Sequence, residues 1–178
     1  DTLLTAIDRY APTTEYGDAF AARVYKISRD PQGNRLTWLK ITGGSLKTRT
    51  PISYSYKNDL LQEKILQLRQ YSADKFTAPE EVFAGELVAV TGLGETYAGQ
   101  VLGAEANALA PALEPVMTYR VNLPKGADPA VVLPKLRQLE EEDPQLHILW
   151  DDRLKQIHAQ IMGKVQLEVL RSIIAQRF

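Results

Sequence analysis

The sequence of 178 residues has no cysteine and only two histidines, His147 and His158. A disulfide framework and a thiolate metal site are excluded, and a histidine-built metal centre has little material. No apolar run approaches the roughly 18 residues that a membrane-spanning helix needs, and no basic–apolar leader opens the sequence. An excess of one charge is missing too. Twenty-one Lys and Arg stand against 22 Asp and Glu, a net charge of −1, which is far from the strongly basic balance of a free-standing nucleic-acid binder. Neither a membrane nor DNA is expected as a partner. No G-x-x-x-x-G-K-[ST] loop that would cradle nucleotide phosphates occurs. The nearest glycine-rich stretches, Thr42-Gly43-Gly44-Ser45 and Thr91-Gly92-Leu93-Gly94-Glu95, read as turns between strands.

What is present suits one large domain or two small ones. Residues 1–19 carry Arg9 against Asp1, Asp8, Glu15 and Asp18, a net charge of −3. Residues 20–103 carry eleven basic and eight acidic side chains, and residues 112–178 balance. The first body is therefore mildly basic, and any contact with RNA must be local or supported by other domains.

From Phe20 to about Leu102 the pattern is one of short strands. Ala22 and Val24 alternate with Arg23 and Tyr25, and Leu36, Trp38 and Lys40 alternate with Thr37, Leu39 and Ile41. Asp30-Pro31-Gln32-Gly33-Asn34 reads as the turn between them. Gly43-Gly44 is a second turn, followed by an extended stretch over Leu46–Ser55. Lys64, Leu66 and Leu68 share one expected strand face, and Ile65, Gln67 and Arg69 share the other. Glu86–Thr91 is a later strand. Strands at this spacing suggest a closed β-barrel. The alanine-rich Gly103–Pro115, which contains Pro111 and Pro115, reads as a linker.

Beyond Pro115 the character changes to strand, helix, strand, strand, helix. Val116–Leu123 is a strand with Met117, Tyr119 and Val121 on one face. Asp128-Pro129 reads as an N-cap followed by proline at the first helical position. Val132, Leu136 and Leu139 line a helical face that ends at Asp143-Pro144. Pro134 is expected to kink this helix or delay its start. Leu146–Trp150 and Leu154–Ile161 are strands joined at Asp151-Asp152-Arg153, and Lys164–Arg177 is a helix with Leu167, Leu170 and Ile174 on its stripe, widened by Val169 and Ile173. This order is most of a ferredoxin-like split β-α-β fold lacking its last strand.

Candidate chemistry is sparse. His147 and His158 lie on adjacent expected strands, close enough to pair across the hairpin beside Asp151 and Asp152, but a single polar strand face explains them better than a metal does. The run Glu140-Glu141-Glu142-Asp143 is poorly placed against the dipole at a helix C-terminus. It reads as a solvated end or as a contact for a basic partner.

Ala84–Leu93 (A-G-E-L-V-A-V-T-G-L), Glu141–Pro144 (E-E-D-P) and Met162–Leu170 (M-G-K-V-Q-L-E-V-L) fall in an order and spacing that resemble domains II and III of the elongation factor G-like translational GTPases. Phe20–Ile27, Gly33–Ile41, Gly43–Leu46, Glu63–Gln70 and Lys135–Pro144 extend the likeness over most of the chain. Gly163-Lys164-Val165-Gln166-Leu167-Glu168 looks most like the tetracycline-resistance ribosomal-protection branch.

The resemblance implies a mixed architecture: residues 1–19 as the tail of a preceding GTPase domain, 20–103 as the translation-factor β-barrel, 104–114 as a linker and 115–178 as the α+β domain. The start at Asp1 without methionine is expected to be a cut within that tail. A cytoplasmic, ribosome-bound role is implied, with small-subunit rRNA, a small-subunit protein and the protein's own GTPase domain as partners. GTP and Mg²⁺ would belong to that domain, so no cofactor, metal or catalytic residue is expected in this chain.

Candidate rRNA contacts are Lys47 and Arg49 after the Gly43-Gly44 turn, and Arg29 and Arg35 beside the Asp30–Asn34 turn, because loop-borne cations suit phosphates. Gly163 and Lys164 are a candidate interdomain or ribosomal-protein contact. A cation at the positive end of a helix is locally unfavourable, which is a hint of purpose. An ordinary elongation factor G translocase is the alternative parent. A stand-alone interaction protein and an unrecognised enzyme are the further readings.

Overall fold

In the computed structural model, residues 2–11, 14–57, 59–106 and 114–178 are described. A short helix α1 (Thr2–Tyr10) leads in, with Leu3, Leu4 and Ile7 exposed. Strands β1 (Ala21–Arg29) and β2 (Arg35–Gly43) then form an antiparallel hairpin around the Asp30–Asn34 turn, closing on the Arg29–Arg35 pair. Gly33 takes the positive φ of 84° that this turn requires. The alternation read from β2 holds from Thr37 to Ile41, with Thr37, Leu39 and Ile41 buried and Trp38 and Lys40 half-buried on the other side, whereas Leu36 is buried too. In β1 it breaks. A bulge between Val24 and Lys26 lets both Val24 and Ile27 face inward and turns Tyr25 and Lys26 together to solvent.

The rest of the first body is built from β3 (Ser45–Lys47), β4 (Pro51–Tyr56), β5 (Asp59–Lys64), β6 (Gln67–Ser72), β7 (Lys75–Thr77), β8 (Glu81–Phe83), β9 (Leu87–Thr91) and β10 (Val101–Gly103). A six-stranded sheet, in the order β10-β1-β2-β9-β6-β7, and two hairpin-like pairs, β3-β8 and β4-β5, wrap one core. Val24, Leu39, Ile41, Leu46, Ile65, Leu68, Val82 and Val90 lie at its centre, each 0–1% exposed. Burying a side chain of this size stabilises by roughly 1.5–3 kcal/mol. A β-barrel is therefore the architecture of this part.

Two stretches differ from the sequence reading. Leu46–Ser55 is not continuous, because a turn centred on Arg49 (φ 65°) separates β3 from β4. The strand expected across Lys64–Arg69 is broken at Ile65-Leu66. Both Ile65 and Leu68 are buried while Leu66 is exposed. Here the chain changes partners. Ile65 exchanges backbone bonds with Arg49 and Thr50 (2.8 and 3.0 Å), and the next N–H, of Leu66, donates to the Thr91 carbonyl (2.9 Å). Gly92 makes the crossing possible: a Cβ there would lie 2.2 Å from the Lys64 carbonyl oxygen, and its φ is 104°.

The second body is α+β. Strand β13 (Gln156–Ile161) lies between β11 (Met117–Val121) and β12 (His147–Asp151), all antiparallel, with α2 (Pro129–Glu142) and α3 (Lys164–Arg177) packed against the sheet. Its core takes Leu136 and Leu139 from α2, Ile157, Ala159 and Ile161 from β13, and Leu170 from α3. Val169, expected to widen the α3 stripe, is exposed.

Asp128 caps α2 as expected, accepting from the Ala130 N–H at 2.8 Å. Pro134 does not delay the helix, which begins at Pro129 and runs through it. Ala130 and Pro134 both lie on the exposed side, where water can satisfy the freed carbonyl. Most of the 104–114 stretch lies outside the described residues, so the linker reading is not addressed there. Glu105, at its start, is tied to the barrel through Arg23 (3.1 Å) and Thr42 (2.5 Å).

Candidate functional site

The acidic run at the end of α2 is the structural centre of the molecule. Glu140 accepts from the Ile148 N–H (3.3 Å) and so ties α2 to β12. Glu141 reaches across to the barrel and takes Arg29 at 3.0 Å and Arg35 at 3.1 Å. Glu142 pairs with Arg177 at the end of α3 (2.8 Å), and its carboxylate raises the Arg177 pKa. Asp143 accepts from the Gln166 amide near the start of α3 (2.7 Å) and from the Gln145 N–H (3.0 Å). The reading of this run as a solvated end is thus corrected. Glu140 holds β12, Glu141 the barrel, and Glu142 and Asp143 the two ends of α3, so the basic partner of Glu141 is this chain's own first body.

Arg35 is the barrel's half of that clasp and is only 12% exposed. Its guanidinium donates to Glu141, to the Thr37 hydroxyl (3.1 Å), to the Leu93 carbonyl (2.8 Å), and to both the hydroxyl (2.9 Å) and the carbonyl of Thr96. Thr37 and Thr96 are themselves buried and bonded to each other at 2.8 Å. A planar five-donor fork suits such a site. Arg29 donates to Glu141 and, at 3.3 Å, to the Gly33 carbonyl.

These two of the four proposed rRNA cations therefore face the second body and not open solvent. The turn between them is fixed by Asp30, whose side chain is 2% exposed. It accepts from the backbone of Gln32 and Asn34 and from the side chains of Asn34 and Arg69. The Asn34 hydrogen bond, with help from Arg69 and against the cost of burial, lowers its pKa to about 2.

The other two cations form an open corner. Lys47 is 66% exposed at the end of β3, with Glu81 of the neighbouring strand 3.6 Å away. Arg49 is exposed in the following turn, and no partner for its guanidinium occurs among the described residues. Gly163 and Lys164 open α3, as N-cap and first residue, and Lys164 is exposed. Gly163 offers no side-chain cap. Gln166 instead fixes the approach to the helix: its carbonyl accepts from the Met162 N–H (2.6 Å) while its amide holds Asp143. Sequence reasoning missed Gln166 and Glu141 as ties. The only signal was the dense acidic run, ambiguous until its partners are located.

His147 and His158 do not oppose each other, since His147 pairs with Gln160 and His158 with Leu149. Among the described residues no group of three His, Asp or Glu side chains is arranged to hold a metal ion, and no described helix is long and apolar enough to cross a membrane. A cleft of about 490 Å³ opens beside the clasp, lined by Tyr56, Lys57, Thr96, Arg137, Glu140 and Ile148 among others. Chemically, the arrangement offers orientation and charge: a bridged pair of bodies and an exposed cationic corner.

No family model matches the chain. It is 29% identical over 169 residues to an elongation factor G from Amoebophilus asiaticus (strain 5a2), covering 92% of this chain and 23% of that protein. It is also 29% identical over 165 residues to an elongation factor G 2 from Syntrophus aciditrophicus (strain SB), covering 90% and 24%. The chain thus spans about a quarter of the length of these curated relatives. A crystal structure of a Thermus thermophilus protein superimposes with a TM-score of 0.67 at 22% identity, covering 94% of this chain and 26% of that one, a likeness of fold.

Proposed function

We propose that this chain is the ribosome-docking part of a translational GTPase, without catalytic chemistry of its own. The observation that carries the reading is the collinear likeness to proteins named elongation factor G over nine-tenths of the chain, both bodies included. In this reading the barrel approaches small-subunit rRNA with the corner of Lys47 and Arg49. The second body faces a small-subunit protein, with Gly163 and Lys164 at the contact. The Glu141 clasp passes the state of the GTPase domain between the two bodies, and GTP and Mg²⁺ are bound by that domain.

The parent we favour is a tetracycline-resistance ribosomal-protection protein of the cytoplasm, because α3 opens with Gly163-Lys164-Val165-Gln166. An elongation factor G translocase is the second reading, and the names of the relatives favour it. Co-sedimentation with ribosomes at low and moderate salt tests the docking. Saturable binding that falls with salt, and falls further in a Lys47→Ala/Arg49→Ala variant, is the expected result. Binding indifferent to that variant would remove the corner from the interface.

A further inference from the structure

The outer face of the barrel over β9 is covered by rings. Val88 and Val90 point into the core, so Ala89 points outward, yet it is 0% exposed. A row of aromatic side chains from four strands crosses the sheet here: Tyr25 on β1, Trp38 on β2, Tyr71 on β6 and Phe76 on β7. Successive ring centroids are 6.3, 5.1 and 5.3 Å apart. Ala89 lies in register between Trp38 and Arg69. Its single methyl lets the Trp38 and Tyr71 rings meet above the strand.

The row is open at both ends, where Tyr25 and Phe76 are each 43% exposed. Cations lie against it. The Lys26 ammonium is 5.9 Å from the Trp38 centroid, and the Arg69 guanidinium is 4.7 Å from that of Phe76. Arg69 is paired with Asp30, whereas Lys26 makes no ion pair among the described residues. The bulge in β1 brings Tyr25 and Lys26 out side by side.

The row sets π-faces beside an ammonium that forms no ion pair among the described residues, the pairing that suits bases and their phosphates. We infer that the row is a stacking surface for unpaired nucleobases of RNA, with Tyr25 and Phe76 receiving bases and Lys26 a phosphate. The inference rests on the proposal that the chain docks on RNA, and it adds a contact of different chemistry from the Lys47–Arg49 corner.

The test is fluorescence anisotropy with a labelled ten-nucleotide oligouridylate and a blunt RNA duplex of equal length, using the full chain at low salt. The Tyr25→Leu/Phe76→Leu variant keeps apolar cover over the sheet while removing both π-faces, and near-UV circular dichroism checks its fold. The single strand should bind more tightly than the duplex, and the variant should lose at least about tenfold on the single strand, since each base–aromatic stack is worth about that much. Lys26→Ala should flatten the salt dependence.

Failure of the folded chain to bind oligouridylate, or equal binding by the ring variant, overturns the inference. Loss of ribosome co-sedimentation in the ring variant with oligouridylate binding intact also overturns it, and assigns the rings to a protein partner. The Lys47→Ala/Arg49→Ala variant separates the two readings, because its failure to affect ribosomes removes the corner and leaves the oligouridylate result untouched.

Discussion

Replacing Arg35 by methionine should cost far more than its surface position beside a turn suggests. Methionine keeps part of the aliphatic stem and deletes five donor contacts. Thr37 and Thr96 retain each other, but the Leu93 and Thr96 carbonyls lose their charged donor inside a buried segment. A hydrogen bond to a charged group is worth roughly 1.5–3 kcal/mol, and orphaned buried acceptors add their desolvation cost. Contacts shared by one side chain are not additive, so a loss of about 3–5 kcal/mol is the reasoned figure. Typical domain stability is about 5–15 kcal/mol, and the barrel should therefore be severely weakened.

Glu141→Gln is the contrast. That carboxylate is 40% exposed and Arg35 keeps its other acceptors, so about 0.5–1 kcal/mol is expected, shrinking in high salt. Urea unfolding followed by tryptophan fluorescence separates the bodies, because Trp38 reports on the barrel and Trp150 on the second body once the other is changed to Phe. A double-mutant cycle between Arg35→Met and Glu141→Gln then isolates the clasp. An Arg35→Met cost under about 1 kcal/mol, or one no larger than that of Glu141→Gln, would refute Arg35 as the pin of this corner.

Two further predictions concern the same region of the barrel. Asp30 has a folded pKa of about 2, below the ordinary aspartate value of about 3.9, so its contribution is complete above pH ~4 and is lost as pH falls toward 2. An Asp30→Asn variant should be less stable at neutral pH and show a flatter acid limb in thermal melts from pH 5 to 2; an unchanged limb would deny the carboxylate this role. Gly92→Ala would place a methyl against the Lys64 carbonyl at a backbone angle unsuited to L-residues. It should lower the urea midpoint by the equivalent of about 2 kcal/mol or more, whereas Gly33→Ala, with open space around it, should cost less.

Local chemistry made much of this molecule legible in one dimension. The Asp30–Asn34 turn, the faces of β2, the Asp128 cap, the stop at Asp143 and the span of α3 all follow from turn residues, period and capping, which act within a few positions along the chain. Two readings failed where the cause was distant in sequence. The strand across Lys64–Arg69 breaks because Ile65 and Leu66 bond to segments brought in from Thr50 and Thr91.

The last failure bears most on function. Sequence could show that Arg29, Arg35, Lys47 and Arg49 flank turns, and that Glu140–Asp143 is a dense acidic run. Which cations remain free was decided only by tertiary structure, because opposite charges attract according to distance in space. Folding carries Glu141 onto Arg29 and Arg35 across more than a hundred residues and leaves Lys47 and Arg49 at an open corner. The aromatic row is of the same kind. Tyr25 and Trp38 share one hairpin and Tyr71 and Phe76 another, and only the order of strands in the sheet makes Trp38 and Tyr71 neighbours.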